Sequence, residues 1–258
     1  MKKTITSVGA VVLVAVMAGN AAADIGDPFP DAGFDFFPSD LTHTVQFIEG
    51  NPFGLPEGPW PLAASGPTVV ERGDPYPGGP DDEYQINTEI LSMDLTGTTP
   101  FGPFTLSESP TRASIGLIRE WAASDEPGHF LAKSFFDVFF EIELEIAPDT
   151  FLTIFNKDAA YMYNPYVEDL PPIVPPHPPY VLLGWRDDTP PRGFAGETPG
   201  FPLYPLSPLT PLCLYVEGYD DPVGHLVEAT HSPTPAPGAA LLGAIGLGLV
   251  GWVRRRFS

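Results

Sequence analysis

Proline limits what this chain can become more than any other residue. Each of its 34 prolines lacks a backbone N–H and holds φ near about −65°, so it removes a hydrogen bond from any helix interior or sheet ladder it enters. All of them fall between Pro28 and Pro237, which leaves proline-free windows at 39–51, 81–99, 111–126, 128–147, 149–164 and 223–232. Central strands are expected inside those windows. No interior stretch carries a convincing helical period.

The window 128–147 has the clearest pattern. Phe136, Val138, Phe140, Ile142, Leu144 and Ile146 alternate with Asp137, Phe139, Glu141, Glu143 and Glu145. That is a period of two, with one face for a core and one mostly for water. Ala147-Pro148-Asp149-Thr150 predicts a turn into a second strand at 151–155. Further strands are expected at 41–49, 67–72, 84–95, 113–121, 179–185, 212–217 and 224–230. Many short strands joined by Pro/Gly-rich loops predict an all-β fold over residues 24–232, an antiparallel sandwich or barrel-like domain rather than a βαβ one. Within it, Pro202–Cys213 holds four tandem Pro-Leu-x units. Polyproline II repeats every three residues, so the leucines would line one edge and pack on the β domain.

Both ends read as addresses. Lys2 and Lys3, the apolar run Val8–Ala18, and Ala21-Ala22-Ala23 before Asp24 form a signal peptide over 1–23, with cleavage between Ala23 and Asp24. At the other end Gly238–Val253 is uncharged. As a helix it would be roughly 24 Å long, a little short of a ~30 Å hydrocarbon core. Trp252 stands at an interfacial position, and Arg254, Arg255 and Arg256 would stay on the cytoplasmic side. A signal helix and a transmembrane helix are thus expected to flank the domain.

The order of a Pro-x-Pro motif, a short apolar helix and a basic cluster over residues 233–258 resembles the sorting tail of PEP-CTERM proteins. Here the motif is Pro235-Ala236-Pro237. The resemblance implies an exported bacterial protein held in the inner membrane by its C-terminal helix. It implies processing by an exosortase-type enzyme and delivery to the cell surface or beyond, in cells that make exopolysaccharide. Ala236 stands where that family usually has Glu, and an unprocessed tail would be a permanent anchor. Residues 67–163 also look similar to a module of secreted, tail-sorted bacterial proteins, which implies one compact β domain and no chemistry.

Charge excludes one partner class. Of 12 Lys+Arg, five sit at the two ends, leaving seven in the body against all 33 Asp+Glu. A body near −26 repels nucleic acid. The single cysteine, Cys213, allows no intrachain disulfide and reads as a strand residue. There is no G-x-S-x-G elbow, H-E-x-x-H or P-loop, and the sequence calls for no catalytic residue, metal or cofactor. The histidines, His43, His129, His177, His225 and His231, show no metal-ligand spacing. Glu141, Glu143 and Glu145 read as a solvated face. Asp81-Asp82-Glu83, Asp187-Asp188 and Asp220-Asp221 offer oxygen ligands for Ca²⁺ but lack the D-x-D-x-D-G register.

Two readings follow. One is a non-catalytic surface or matrix protein in contact with exopolysaccharide. The alternative is a secreted carbohydrate-active hydrolase or Ca-dependent carbohydrate-binding module. That alternative requires two carboxyls ~5–10 Å apart beside exposed aromatics; Trp60, Trp121 and Trp185 are the candidate platforms.

Overall fold

The computed structural model describes residues 29–78, 83–120, 132–167, 170, 178–186 and 211–234. Thirteen strands occupy them: β1 (Gly33–Phe47), β2 (Gly58–Arg72), β3 (Tyr76–Pro77), β4 (Tyr84–Thr98), β5 (Pro103–Glu108), β6 (Ser114–Glu120), β7 (Ala132–Val138), β8 (Phe140–Ala147), β9 (Thr150–Asn156), β10 (Ala159–Val167), β11 (Tyr180–Arg186), β12 (Leu212–Val216) and β13 (Gly224–Pro233). There is no helix among the described residues. The expected signal peptide over 1–23 and the expected helical tail from Pro235 onward lie outside them.

Leaving aside β3, which pairs only with β4, the pairing gathers the other twelve strands into eight staves. β1, β2, β4 and β13 are unbroken. β5 and β6 both pair antiparallel with β4, so they run the same way, one above the other. β8 and β7 continue that ring through β5 and β6. β9 and β10 pair next, then β12 and β11. Both of the latter meet β13, and β13 pairs with β1. Among the described residues the ring therefore closes and every ladder is antiparallel, so each stave has a neighbour on both sides. The expected all-β antiparallel fold holds, and the β1–β13 ladder makes it a barrel rather than a sandwich.

Alternation places the core inside. Phe136, Val138, Phe140, Ile142 and Leu144 are buried as their spacing predicts, and Ile146 is half-buried near the rim. The stave breaks at Phe139 without changing phase. The predicted turn is also present. Ala147 pairs with Thr150, and Asp149 takes φ 59°, a value aspartate tolerates better than most residues. Leu212 and Leu214 are buried in β12, so the last Pro-Leu-x unit continues as sheet rather than as polyproline II.

The proline windows were too strict. β1 contains Pro38, and β2 contains Pro59, Pro61 and Pro67. The neighbours explain how. Pro38 faces Pro67, and the β1–β13 ladder begins only at Ser39. The β2–β4 ladder skips Gly66 and Pro67 between Ser65 and Thr68, and it starts at Ala64, beyond Pro59 and Pro61. Each missing N–H falls where no partner strand requires it.

The barrel has two distinct ends. Phe47, Gly58, Thr98, Ala147, Thr150, Val216 and Gly224 mark a turn end. Gly33, Arg72, Glu120, Val167, Tyr180 and Pro233 mark an exit end. The chain enters and leaves at the exit end, where the N–H of Thr234 donates to the carbonyl of Pro38 at 2.8 Å.

Candidate functional site

The two halves of the lumen differ. Toward the turn end Phe47, Leu62, Phe104, Ile142 and Leu214 fill the space and leave about 10 Å³ free. Toward the exit end about 40 Å³ stays open, lined by residues that include Phe37, Thr88, Phe136, Met162, Tyr180 and His231. An eight-stranded barrel is just wide enough for side chains to fill. Forty cubic ångströms is room for a few waters, since each needs roughly 10–15 Å³.

Most polar groups facing this chamber are satisfied. Arg72 Nε donates to Asp35 Oδ2 at 2.6 Å, and burial nonetheless raises the Asp35 pKa, the guanidinium only partly offsetting it. Ser39 and Thr68 hydroxyls lie 2.9 Å apart. Tyr180 Oη donates to Ser134 Oγ at 3.0 Å, while burial pushes its phenol up to about 12. On the outer face of β4 and β6, Arg119 donates twice to Gln85 Oε1, at 3.1 and 3.0 Å.

Among the described residues three lumen atoms find no partner: Thr88 Oγ1, His231 Nε2 and, deeper, His43 Nδ1. Leu41 faces His231 and His43 faces Ala229, so the two imidazoles are diagonal neighbours on the inner face. Burial brings His43 down to about 3, with His231 adding like-charge repulsion, and brings His231 down to about 4. Both rings are therefore neutral near pH 7. Their scattered sequence positions gave no sign of this pairing, which only closure creates.

On the outer wall a groove of about 450 Å³ runs between Tyr76 and Leu117–Phe135. Glu71 and Glu89 stand directly opposite each other on β2 and β4 within it. Tyr76 Oη donates to the neighbouring Asn87 Oδ1 at 3.0 Å. Facing carboxylates repel, and a cation or donors from a bound molecule would relieve that repulsion. Sequence reasoning missed this pair, because nothing local marks two glutamates eighteen positions apart as opposite.

The other candidates are placed apart. Glu141, Glu143 and Glu145 lie on the outer face of β8, as expected, and burial raises the Glu141 pKa, with Glu217 adding repulsion. Asp220-Asp221 is exposed in the β12–β13 turn. No group of three metal-ligating side chains gathers among the described residues. Trp60 packs on Phe101 with ring centroids 4.8 Å apart, and its indole N–H donates to the Pro56 carbonyl, so it is a core-edge residue. Cys213 is half-buried in β12. Asp81-Asp82, Asp187-Asp188, Trp121, His129, His177 and residues 201–210 lie outside the described residues, as do Ala21, Ala23, Asp24, Pro235, Ala236, Pro237 and Arg254–Arg256; of Trp185 only the backbone is described.

Among solved structures, DynF from the dynemicin biosynthesis pathway of Micromonospora chersina is similar, with a TM-score of 0.54 over 83% of this chain and 86% of that one. At 15% identity the likeness is one of fold alone. No family model matches the chain, and no curated protein matches it.

Proposed function

We propose that this chain is an exported, non-catalytic β-barrel protein, delivered through its PEP-CTERM-like tail and displayed at the cell surface or released. The observation that best supports this is the common exit. Both ends of the barrel leave on one side, and Thr234 is tied to Pro38 only four residues before the apolar run begins at Gly238. A tail inserted there would hold the barrel by its exit end and leave its walls and turn end facing outward. The signal peptide would be cleaved after Ala23. The inner membrane, an exosortase-type enzyme and exopolysaccharide are the proposed partners, nucleic acid is not, and no cofactor is required.

Mass spectrometry of the mature protein together with cell fractionation tests the reading. Material beginning at Asp24 and ending near Pro237, away from membranes, is the expected result if the tail is processed. Full tails in the inner-membrane fraction would mean that Ala236 blocks processing. A chain found whole in the cytoplasm would end the proposal.

One observation favours a second reading, carbohydrate recognition or hydrolysis at the outer groove, because Glu71 and Glu89 face each other there beside Tyr76. Hydrolysis of a neutral oligosaccharide, lost on E71Q and on E89Q, would select that reading over the first.

A further inference from the structure

The large apolar side chains that the lumen does not use are unevenly placed. On the outer face of β1, Phe34 is 56% and Phe36 66% exposed, and Leu91 on β4 is 41% exposed. Phe36 faces Val69 on β2, and Val69 faces Ser92, beside Leu91. The side chains form one strip across three adjacent staves near the exit end. Pro38 and Pro67, opposite each other, extend it toward the middle of the barrel. The charged outward residues bordering it on these strands are Asp40, Glu71, Glu89 and Asp94, all acidic.

We infer that this strip is a membrane-contact surface that rests on the headgroup region of a zwitterionic bilayer. The inference builds on the tail reading above and adds to it how the barrel would sit. Chain reach supplies the argument. From Thr234, bonded to Pro38, to Gly238 the backbone spans at most about 14 Å at ~3.3–3.6 Å per residue. Phe36 lies two residues from Pro38 on the same strand, about 7 Å away. A tail that enters the bilayer at Gly238 therefore keeps Phe36 within roughly 25 Å of the lipid surface, near enough for the strip to settle on it. Exposed aromatic side chains there lose apolar contact with water on settling into the interface. The acidic border confines this contact to lipid without net negative charge.

The test uses the full chain with ¹³C-labelled phenylalanine, inserted into phosphatidylcholine nanodiscs that carry a gadolinium-chelating lipid. Phe151 is the internal control, because it is 55% exposed but sits at the turn end. The staves are about 50 Å long, so the ring signals of Phe34 and Phe36 are expected to relax at least about ten-fold faster than those of Phe151. In an F34S/F36S chain ¹³C-labelled at the valine methyls, the relaxation of the Val69 methyls should fall relative to the same label in the unaltered chain. Equal relaxation at Phe34, Phe36 and Phe151 would overturn the inference while leaving the tail reading intact. Two chains per disc, with the strip shielded from the gadolinium, would show that a second copy covers it and would overturn it as well. Failure of the chain to enter the disc would overturn the tail reading and this inference together.

Discussion

The side chain of Asn156 stands in for a ladder residue opposite Phe140. Its Oδ1 accepts the Phe140 N–H at 2.8 Å, and its Nδ2 donates to the Val138 carbonyl at 2.8 Å and to the Asp158 carbonyl at 2.8 Å. From the other side Ser114 Oγ accepts the Phe139 N–H at 2.9 Å and donates to the Phe139 carbonyl at 3.2 Å. Arg112, whose guanidinium lies 5.0 Å from the Phe139 ring centroid, donates to the Lys157 carbonyl. Together these side chains replace the backbone bonds lost where the staves break.

Replacing Asn156, which is 3% exposed, by Ala leaves a buried N–H and a buried C=O unpaired. Such groups cost about 1–3 kcal/mol each, so a loss of about 2–4 kcal/mol is expected in urea denaturation. A change below about 0.5 kcal/mol would show that the break is held by something else.

Phe140 is fully enclosed, its ring 5.6 Å from that of His43. Truncation to Ala removes a large core side chain and should cost about 3–5 kcal/mol. A loss under about 1 kcal/mol would mean that the barrel wall collapses into the space.

Gly66 is required for close approach. A Cβ there would lie 2.0 Å from the Asp94 carbonyl oxygen, a backbone atom that cannot step aside. Gly66→Ala should therefore cost about 1–3 kcal/mol as the β2 and β4 staves are forced apart. At Gly73 the nearest atom would be at 3.6 Å, and Ala should change stability by no more than about 0.5 kcal/mol. Equal effects at the two sites would argue against the contact.

The sequence carried the local half of this fold. Alternation from Phe136 to Leu144 fixed which side chains face inward, and Pro148-Asp149 marked the β8–β9 turn. What it could not carry is partner choice. The stretch 41–49 reads as a strand, but nothing in it says that residues 224–233 lie alongside. The prolines misled for the same reason, because whether Pro67 is tolerated depends on β4 leaving a gap opposite it. The lumen was illegible on the same grounds: His43 and His231 become neighbours only once the first and last staves meet.

Acid should weaken the barrel. Above about pH 6.5 the imidazoles of His43 and His231 are neutral in both the folded and the unfolded chain. Below that, the unfolded chain takes up protons at an ordinary 6.5 while the folded sites resist until about 3 and about 4. Stability therefore falls as pH drops from about 6.5 toward 3. Asp35, Glu108 and Glu141, whose pKa values burial raises, act in the opposite sense and soften the fall. Urea midpoints measured from pH 7.5 to 4 should decline, and an H43F/H231F chain should decline less. A profile identical in the two proteins would remove the histidines from the account.

Thr88 is 4% exposed with no partner for its hydroxyl. Exchange of a buried Thr for Val ordinarily costs stability, because the threonine oxygen is usually bonded. Here Thr88→Val should be neutral or stabilising by up to about 1 kcal/mol. A clear loss would reveal that ordered water in the chamber serves the hydroxyl.

The ladder between β1 and β13 also sets a timetable. It joins Ser39 to Pro233 and Phe47 to Gly224, so the opening stave of the barrel waits for almost the whole body to be made. Synthesis from the N-terminus leaves β1 with one side unsatisfied while β2 through β12 assemble. Contacts this distant in sequence form slowly, and an open edge is a template for a neighbouring chain. Pro38, and a body whose net charge repels its copies, guard that edge during the wait. The same acidity would thus keep unfinished copies apart.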